Sequence, residues 1–220
     1  LEYPNALKTK VIVVLPAYNA AKTLHETVRD IPKESCDEII LVDYASSDNT
    51  VEIARSLGLS VFVHSRNKGY GGNQKTCYAR ALEQGAGIVV MVHPDYQYDP
   101  QVIPELIEPI HKGEADAVFG SRIGTNFSEY HSGFRAYSAK YLKSIHFMLN
   151  SDGFIFDTEI IVQGLLKNMR IQEIPIKTRY FDGASTIKFW ASVLYGLGIL
   201  KTLLKYVLYR SGAFRFKQFE

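Results

Sequence analysis

Short apolar runs that end at polar turns recur through the first 92 residues of the chain. The clearest is Ile88 to Val92, five apolar residues that stop at His93, Pro94 and Asp95. Runs of this length, rich in β-branched residues and bounded by turn signals, are typical of strands buried on both faces. Similar patterns predict three earlier strands, over residues 11–15, 38–42 and 59–63.

Segments with apolar positions at helical spacing separate these strands. Thr23 and Glu26 have the spacing of a capping box, which predicts a helix that begins after Thr23. A second helix is predicted over residues 49–57, ending at Gly58, and a third follows the glycine-rich residues 69–72. Alternation of strands and helices predicts an α/β fold with a mainly parallel sheet and right-handed crossovers.

The pattern is less regular beyond the fourth strand. Residues 101–111 and 158–168 have helical spacing, residues 117–119 are a short apolar run typical of a strand, and residues 134–137 are predicted as a further short strand. Residues 171–179 alternate, and Pro175 within them favours an edge strand because proline cannot donate to a sheet ladder.

The last part of the chain, residues 187–209, has apolar positions at helical spacing, accompanied by lysines and interrupted by Gly196 and Gly198. It predicts an amphipathic basic helix. Such a helix can pack on its own domain, or it can lie in the headgroup region of an anionic membrane. We therefore divide the chain into an α/β domain over residues 1–186 and a helix with its tail over residues 187–220.

Composition narrows the class of protein. The chain has 220 residues, of which 46% are hydrophobic and 22% charged, as expected for one globular domain. A net charge of +2 is too small to favour a nucleic-acid partner. Cys36 and Cys77 have neither metal-ligand spacing nor the numbers for a disulfide framework, which favours a reducing, cytoplasmic location. No signal peptide and no apolar stretch of transmembrane length are predicted.

Polar residues capable of chemistry follow the fourth strand. His93, Asp95 and Gln97 lie where its carboxyl end opens, which is where ligands bind in open α/β sheets. They could hold Mg²⁺ or Mn²⁺ that bridges substrate phosphates. The alternative is a polar turn in which Asp95 caps the backbone and His93 is satisfied by backbone groups.

Other candidates come from neighbouring strand ends and turns. Asp43 follows the second strand and could accept hydrogen bonds from a ribose or base, whereas a helix-capping role suits Ser47 or Asp48 better. Arg122 follows a strand-ending Gly-Ser, where a bidentate phosphate contact is natural. The glycines at 69–72 do not have the dinucleotide-binding spacing, which disfavours a nicotinamide enzyme, and we interpret them as permitting a turn.

Seven segments in order resemble the family 2 glycosyltransferases of the GT-A fold, closest to the dolichol-phosphate mannose synthase group and its polyprenyl-phosphate relatives. The segments are LPAYN at 15–19, VDYASSDNT at 42–50, NKG at 67–69, HPDYQ at 93–97, GSR at 120–122, HSGFRA at 131–136 and SDGFIFDTE at 151–159. The resemblance runs from about Val11 to Arg210. It implies a single Rossmann-like nucleotide-diphospho-sugar transferase domain, with a parallel sheet flanked by helices.

The resemblance also implies a nucleotide-sugar donor, a divalent cation (Mg or Mn), a polyprenyl-phosphate acceptor and peripheral contact with the cytosolic membrane face. The residues implied to contact the nucleotide are Pro16, Tyr18, Asn19, Asp43 and Lys68. Those implied at the metal and diphosphate are Asp95 and Gln97, with His93 beside them. Arg122 and Arg135 are implied at the acceptor phosphate, and Arg179 and Lys188 at the donor diphosphate.

Three departures from the family pattern bear on activity. His93 stands where an aspartate is usual, Tyr44 replaces an acidic residue, and Ala20 replaces a glutamate. The leading hypothesis is an inverting transfer from GDP-mannose or a UDP-hexose to a polyprenyl or dolichyl phosphate. The missing carboxylates leave open a catalytically impaired domain that only binds nucleotide sugar or lipid phosphate.

The acceptor decides whether a general base is needed. A phosphate acceptor is already ionised, so positioning and charge neutralisation suffice. For a hydroxyl acceptor, which is the other alternative, Asp157 is the best candidate base. Asp157 and Glu159 could instead be structural carboxylates, paired with basic residues.

Overall fold

One mixed sheet organises the molecule, whose structure is a computed structural model that describes residues 9–122, 133–177, 179 and 189–220. Side chains are described for all of these except residues 122 and 189–192. The strands are β1 Val11–Ala17, β2 Glu38–Asp43, β3 Ser60–Val63, β4 Ile88–Met91, β5 Ala117–Arg122, β6 Arg135–Ser138 and β7 Ile171–Ile176. Within the described residues they lie in the order β3-β2-β1-β4-β6-β5-β7.

Helices cover both faces of this sheet. They are α1 Leu24–Asp30, α2 Thr50–Ser56, α3 Gly69–Glu83, α4 Ile103–His111, α5 Ala139–Ser144, α6 Phe156–Leu166 and α7 Phe189–Arg210. Short 3₁₀ turns span Lys33–Ser35, Pro100–Val102 and Phe147–Leu149. The predicted elements are therefore present with small shifts in their ends, and α5 is a helix that the sequence pattern did not predict.

Strand pairing confirms the predicted parallel sheet and adds one reversal. Strands β1 to β4 pair parallel, with Val13 opposite both Ile39 and Val90. Strand β6 is inserted antiparallel between β4 and β5, with Ala136 opposite Val90 and Val118. Strand β7 pairs parallel with β5 at the edge of the sheet, as Pro175 predicted.

Alternate side chains of β1 pack into two separate hydrophobic cores, one on each face of the sheet. Val13 packs on the side of α1, α2 and α4, whereas Val14 packs on the side of α3, α5 and α6. A strand directs successive side chains to opposite faces, so an uninterrupted apolar run is what two covered faces require. Cys77 is buried in the second core, and both cysteines are free thiols.

Two predicted boundaries differ from the structure. Strand β1 continues through Pro16 to Ala17, because β4 pairs with it only as far as Val14 and leaves the proline one strand partner, Val42. Thr23 precedes α1 but does not cap it. Its hydroxyl donates instead to the Pro94 carbonyl at 2.5 Å, so the expected capping box is wrong and the side chain ties α1 to the loop after β4.

The glycines at 69, 71 and 72 form the first turn of α3 rather than a loose turn before it. The segment around Asp152 lies against them, and the Gly71 amide donates to the Asp152 carbonyl at 2.8 Å. A β-carbon at Gly71 would lie 2.4 Å from the Ser151 carbonyl oxygen and 2.8 Å from the Phe156 β-carbon. These glycines are therefore required by close approach of a distant segment, which corrects the simpler interpretation from the sequence.

The chain end packs on α6. Helix α7 approaches α6 closely at Gly198, where a β-carbon would lie 2.0 Å from the Ile155 side chain. The tail then reverses at Gly212, and the buried Gln218 donates to the Asn150 side-chain oxygen at 2.9 Å. Within the described part of the chain, no helix is long and apolar enough to cross a membrane.

Replacing Gly71 with alanine should lower the free energy of unfolding by about 1–3 kcal/mol, because the added methyl overpacks the contact with Ser151 and Phe156. Urea denaturation measures this loss. Gly196→Ala is the matched control, since nothing lies within 4 Å of its β-carbon position, and it should gain up to about 1 kcal/mol from helix propensity. Equal effects of the two substitutions would contradict the close-approach role.

Candidate active site

The carboxyl ends of β1, β2 and β4 meet at one edge of the sheet. Pro16 lies opposite Val42 there, one residue before Asp43, and His93 begins the turn that follows β4. Tyr18 and Asp95 continue from the same strand ends. The parallel pairing of these three strands thus collects side chains from residues 16 to 95 into one site.

Two tyrosines and a buried carboxylate form the part of the site between β1 and β2. The rings of Tyr18 and Tyr44 stack with centroids 4.9 Å apart, and Tyr18 is about half exposed. Asp43 is buried, and its Oδ2 accepts the Ser46 amide at 3.0 Å. Its Oδ1 has no hydrogen-bond partner among the described residues, so it can accept a donor from a ligand.

The replacement of a carboxylate by Tyr44 therefore adds an aromatic contact. Burial, together with the nearby Tyr18 and Asp43, raises the pKa of Tyr44 to about 12, so its hydroxyl is neutral. Asp48 is the carboxylate that serves the start of α2, because its Oδ1 accepts the Thr50 amide at 3.0 Å. Asp43 is thereby left for another role, as the sequence favoured.

Asn19 joins the loops after β1 and β2. It has a positive φ of 51°, its amide donates to the Ser46 hydroxyl at 2.8 Å, and its side-chain oxygen accepts the Ser47 amide at 2.8 Å. These bonds hold the Tyr18 side of the site to the Tyr44 side. Direct contact between Asn19 and a nucleotide stays a prediction.

The loop after β4 is tightly braced. Asp95 Oδ1 accepts the Gln97 amide at 3.1 Å, and Tyr96 takes a positive φ of 59° between them. The Arg179 amide donates to the Gln97 carbonyl at 2.8 Å, while its guanidinium lies 4.3 Å from the Tyr96 ring centroid and 3.2 Å from Asp99. Arg179, which follows β7 in the chain, therefore contacts the loop after β4. One oxygen of Asp95 makes the backbone-capping contact that the sequence offered as an alternative to metal binding.

His93 faces α3 rather than a backbone group. Its Nε2 lies 3.4 Å from the Tyr70 hydroxyl, and the two rings stack with centroids 5.6 Å apart. Burial lowers the pKa of His93 despite the opposing effect of Asp95 and Asp157, so the imidazole is neutral at pH 7. Gly133 packs so closely that a β-carbon there would overlap the ring.

A buried ion pair lies behind His93. Arg135 is 0% exposed and its Nη2 donates to Asp157 Oδ2, which also accepts the Tyr70 hydroxyl at 2.9 Å. Asp157 Oδ1 accepts Gln74 Nε2 at 3.2 Å. Although burial disfavours its charge, the proximity of Asp157 holds the pKa of Arg135 well above its ordinary value, so the guanidinium is charged.

Both carboxylates of α6 make structural contacts: that of Asp157 is the pairing with a basic residue that the sequence left open, whereas that of Glu159 is with a backbone amide. Asp157 pairs with Arg135, and Glu159 accepts the Ser151 amide. Contact of Arg135 with an acceptor phosphate stays a prediction, and its guanidinium lies inside the protein. Tyr70 was missed from the sequence, although it directly follows Asn67-Lys68-Gly69, and it contacts both His93 and Asp157.

For three of the predicted site residues, the structure shows no contact that tests their predicted roles. Lys68 is exposed immediately before α3, near the same edge of the sheet. Arg122 ends β5, and its side chain lies outside the described residues, as does the whole of Lys188. Their proposed phosphate contacts stay predictions.

The donor set fits a divalent cation shared with substrate. The described part of the chain holds no group of three His, Cys, Asp or Glu side chains able to enclose a metal. Asp95 and Gln97 provide oxygen atoms, and Mg²⁺ commonly takes only one or two protein carboxylates alongside substrate phosphates. The Nε2 of His93 is directed at Tyr70, so His93 is a weaker candidate ligand than Asp95.

Comparison with known proteins decides the family. Residues 12–162 match the family model described as Glycosyl transferase family 2. The chain belongs to this family. As a family 2 glycosyltransferase, it has relatives that act on polyprenyl-phosphate acceptors, which confirms the resemblance read from the motifs.

Two relatives illustrate that group. A UDP-N-acetylglucosamine–dolichyl-phosphate N-acetylglucosaminyltransferase of Methanococcus voltae is 28% identical, over 78% of this chain and 86% of the relative. An undecaprenyl-phosphate mannosyltransferase of Micrococcus luteus is 26% identical, over 76% of this chain and 82% of the relative.

A solved structure confirms the GT-A fold. Glucosyl-3-phosphoglycerate synthase from Mycobacterium tuberculosis, in complex with Mn²⁺, UDP and phosphoglyceric acid, superposes with a TM-score of 0.72. The two chains are 20% identical, and the match covers 90% of this chain and 78% of the other. At this sequence identity, the structural similarity is evidence for a shared fold and not for a shared substrate.

The family 2 site depends on its ion pair, so Asp157→Asn should lower the free energy of unfolding by about 3–5 kcal/mol by leaving Arg135 charged and unpaired. Urea denaturation measures the loss. Glu108→Gln, which breaks the exposed pair with Lys112, is the control and should change stability little. The double variant Asp157→Leu/Arg135→Met should recover much of the loss in the free energy of unfolding. A double variant whose loss equals the sum of the losses from Asp157→Leu and Arg135→Met alone would contradict direct pairing.

Proposed function

We propose that this family 2 glycosyltransferase moves one sugar, with inversion, from GDP-mannose or a UDP-hexose to a polyprenyl or dolichyl phosphate. The observation that carries the proposal is the state of Asp157. Both of its oxygens accept hydrogen bonds from Tyr70, Arg135 and Gln74, so the best candidate base is held by the protein's own side chains rather than presented to an acceptor hydroxyl. An ionised phosphate acceptor needs no such base. The similarity to transferases named for dolichyl and undecaprenyl phosphate supports the same acceptor class.

The donor lies along the edge formed by β1, β2 and β4. Tyr18 and Tyr44 provide an aromatic surface for the base, and the unpaired Oδ1 of Asp43 accepts a donor from the base or ribose. Asp95 and Gln97 would hold a divalent cation, which neutralises the diphosphate when bound. Arg179 Nη1 is buried without a hydrogen-bond partner among the described residues, which suits a phosphate oxygen nearby.

The reaction is a single displacement. An oxygen of the acceptor phosphate attacks the anomeric carbon, and the bond from that carbon to the nucleoside diphosphate breaks on the opposite side. The chain's own contribution is to orient both substrates and to neutralise the departing charge. His93, neutral and held by Tyr70, completes the wall of the site beside the cation position without adding charge.

Helix α7 supports a location at the cytosolic face of an anionic membrane. Between Phe189 and Arg210 it has no acidic residue, and its described residues expose seven large apolar side chains: Val193, Leu194, Leu197, Leu200, Leu203, Leu204 and Val207. Lys201, Lys205 and Arg210 accompany them. The helix also packs on α6, where the Tyr195 and Thr158 side chains are hydrogen-bonded. The helix can therefore lie in the membrane plane while its domain stays in water.

The transfer itself is tested with radiolabelled UDP- and GDP-sugars, polyprenyl phosphate in detergent, and Mn²⁺ or Mg²⁺. Wild-type protein should move label into a chloroform-soluble product, and Asp95→Asn should lower that rate by about 100-fold or more, because it weakens charge neutralisation. Glu105→Gln, an exposed substitution on α4, is the control and should keep full activity.

Calorimetry with UDP and GDP separates the remaining outcomes. Asp95→Asn should lose only the metal-dependent part of nucleotide binding. Metal-dependent binding by wild type without transfer to any acceptor would indicate a binding domain and overturn the proposal. Transfer to hydroxyl acceptors alone would overturn the acceptor assignment, and unchanged metal-dependent binding by Asp95→Asn would overturn the cation site.

Membrane contact is tested by sedimentation with vesicles of phosphatidylcholine, with and without phosphatidylglycerol. The double substitution Leu200→Glu/Leu204→Glu should weaken binding to the anionic vesicles by at least about tenfold, because it removes apolar burial and adds like charge. Val63→Glu, at an exposed position on the distant edge strand β3, is the control. Equal binding by both variants, or self-association lost with the α7 substitutions, would contradict a lipid surface.

A further inference from the structure

Three rings form a row that runs outward from the catalytic edge. His93 stacks on Tyr70 with centroids 5.6 Å apart, and Tyr70 contacts Phe154 with centroids 4.9 Å apart at an angle of 35°. The inner two rings are partly buried, whereas Phe154 is 45% exposed. A single exposed apolar side chain is ordinary on a protein surface. This one differs because it ends a stack that begins beside the reacting centre.

The backbone on either side of Phe154 is fixed. The Asp152 carbonyl accepts the Gly71 amide at 2.8 Å, and the Gly153 amide donates to the Ser151 hydroxyl at 3.1 Å. On the other side, Ile155 fits against Gly198 of α7. Phe154 is therefore held between the catalytic edge and α7.

The surroundings of Phe154 favour an apolar ligand over a charged one. The nearest acidic residue along the chain, Asp152, is neutralised by Lys75, with Nζ 2.7 Å from its carboxylate. The Ile155 side chain packs against Gly198 of α7, and the exposed leucines of α7 form the surface that we assign to lipid. An acceptor with its phosphate at the catalytic edge and its tail in the membrane must bridge these two places.

We infer that Phe154, with the edge of the Tyr70 ring, is the contact for the first isoprenoid units of the acceptor. This inference rests on the proposed function, and it assigns Phe154 to recognition of the lipid rather than of the phosphate or the donor. Flat aromatic faces offer a large apolar area at little entropic cost, which suits a flexible unsaturated chain. An aromatic face can also stack against a sugar. If Phe154 is found to contact the transferred sugar, its assignment to the isoprenoid chain is excluded.

The test compares wild type with Phe154→Ala and Phe154→Leu on two acceptors, farnesyl phosphate and ethyl phosphate. Phe154→Ala should raise KM for farnesyl phosphate by about tenfold, since it removes an apolar contact of one large side chain. Its KM for the nucleotide sugar, its kcat at saturating farnesyl phosphate and its rate with ethyl phosphate should be unchanged. Phe154→Leu should recover most of the farnesyl affinity, because an isoprenoid needs an apolar surface and not an aromatic one.

Phe214→Ala is the matched control, since Phe214 is 59% exposed in the tail after α7, and it should leave both acceptors unaffected. Thermal melting of each variant excludes an effect through folding. A raised KM for the nucleotide sugar, with no recovery by leucine, would assign the ring to the sugar and overturn the inference. Unchanged kinetics in Phe154→Ala would also overturn it while leaving the proposed function intact. Failure of wild type to use any prenyl phosphate would instead overturn the proposed function and this inference with it.

Discussion

The buried ion pair between Arg135 and Asp157 is the interaction on which the site depends. Arg135 comes from the antiparallel strand β6 and Asp157 from α6, and Tyr70 and Gln74 of α3 complete the bonds to the carboxylate. Removing two charges from water is costly, and only close pairing with additional hydrogen bonds offsets that cost. The arrangement therefore holds β6, α6 and α3 in one relative position, and His93 is positioned through Tyr70.

That pair also shapes the chemistry. A buried carboxylate that accepts hydrogen bonds from three side chains holds its neighbours in place and is not presented to an acceptor hydroxyl. The enzyme class that needs least from such a group is one whose acceptor is already an anion. The pairing of Asp157 within the fold is consistent with the anionic acceptor that we propose, the acceptor class for which two relatives are named.

One short segment connects α3, at the candidate active site, to α7. The segment 150–155 contacts the first turn of α3 through Asp152, α7 through Ile155 and the tail through Asn150. The same short segment thus touches the helix that carries Tyr70 and the helix proposed to lie on the membrane. Glycines at 71 and 198 make both contacts possible, because a β-carbon at either position would collide with the segment.

Much of this architecture could be predicted from local pattern. The runs that became β1 to β4, the helices between them, the edge position of β7 and the polar strand ends at Asp43 and His93 all follow from periodicity, since each is a property of neighbouring residues. The ordered motifs likewise indicated the family. The capping box at Thr23 was wrong because a distant carbonyl, that of Pro94, competes for the same hydroxyl.

Only the tertiary structure decided what depends on residues far apart in the chain. The reversal of β6 between β4 and β5, the pairing of Arg135 with Asp157, and the use of Tyr70 to connect His93 to that pair join positions 16 to 87 residues apart. The need for glycine at position 71 arises from a segment about eighty residues later. Periodicity reports which side of an element is buried, whereas the partner on that side is set by how the elements pack.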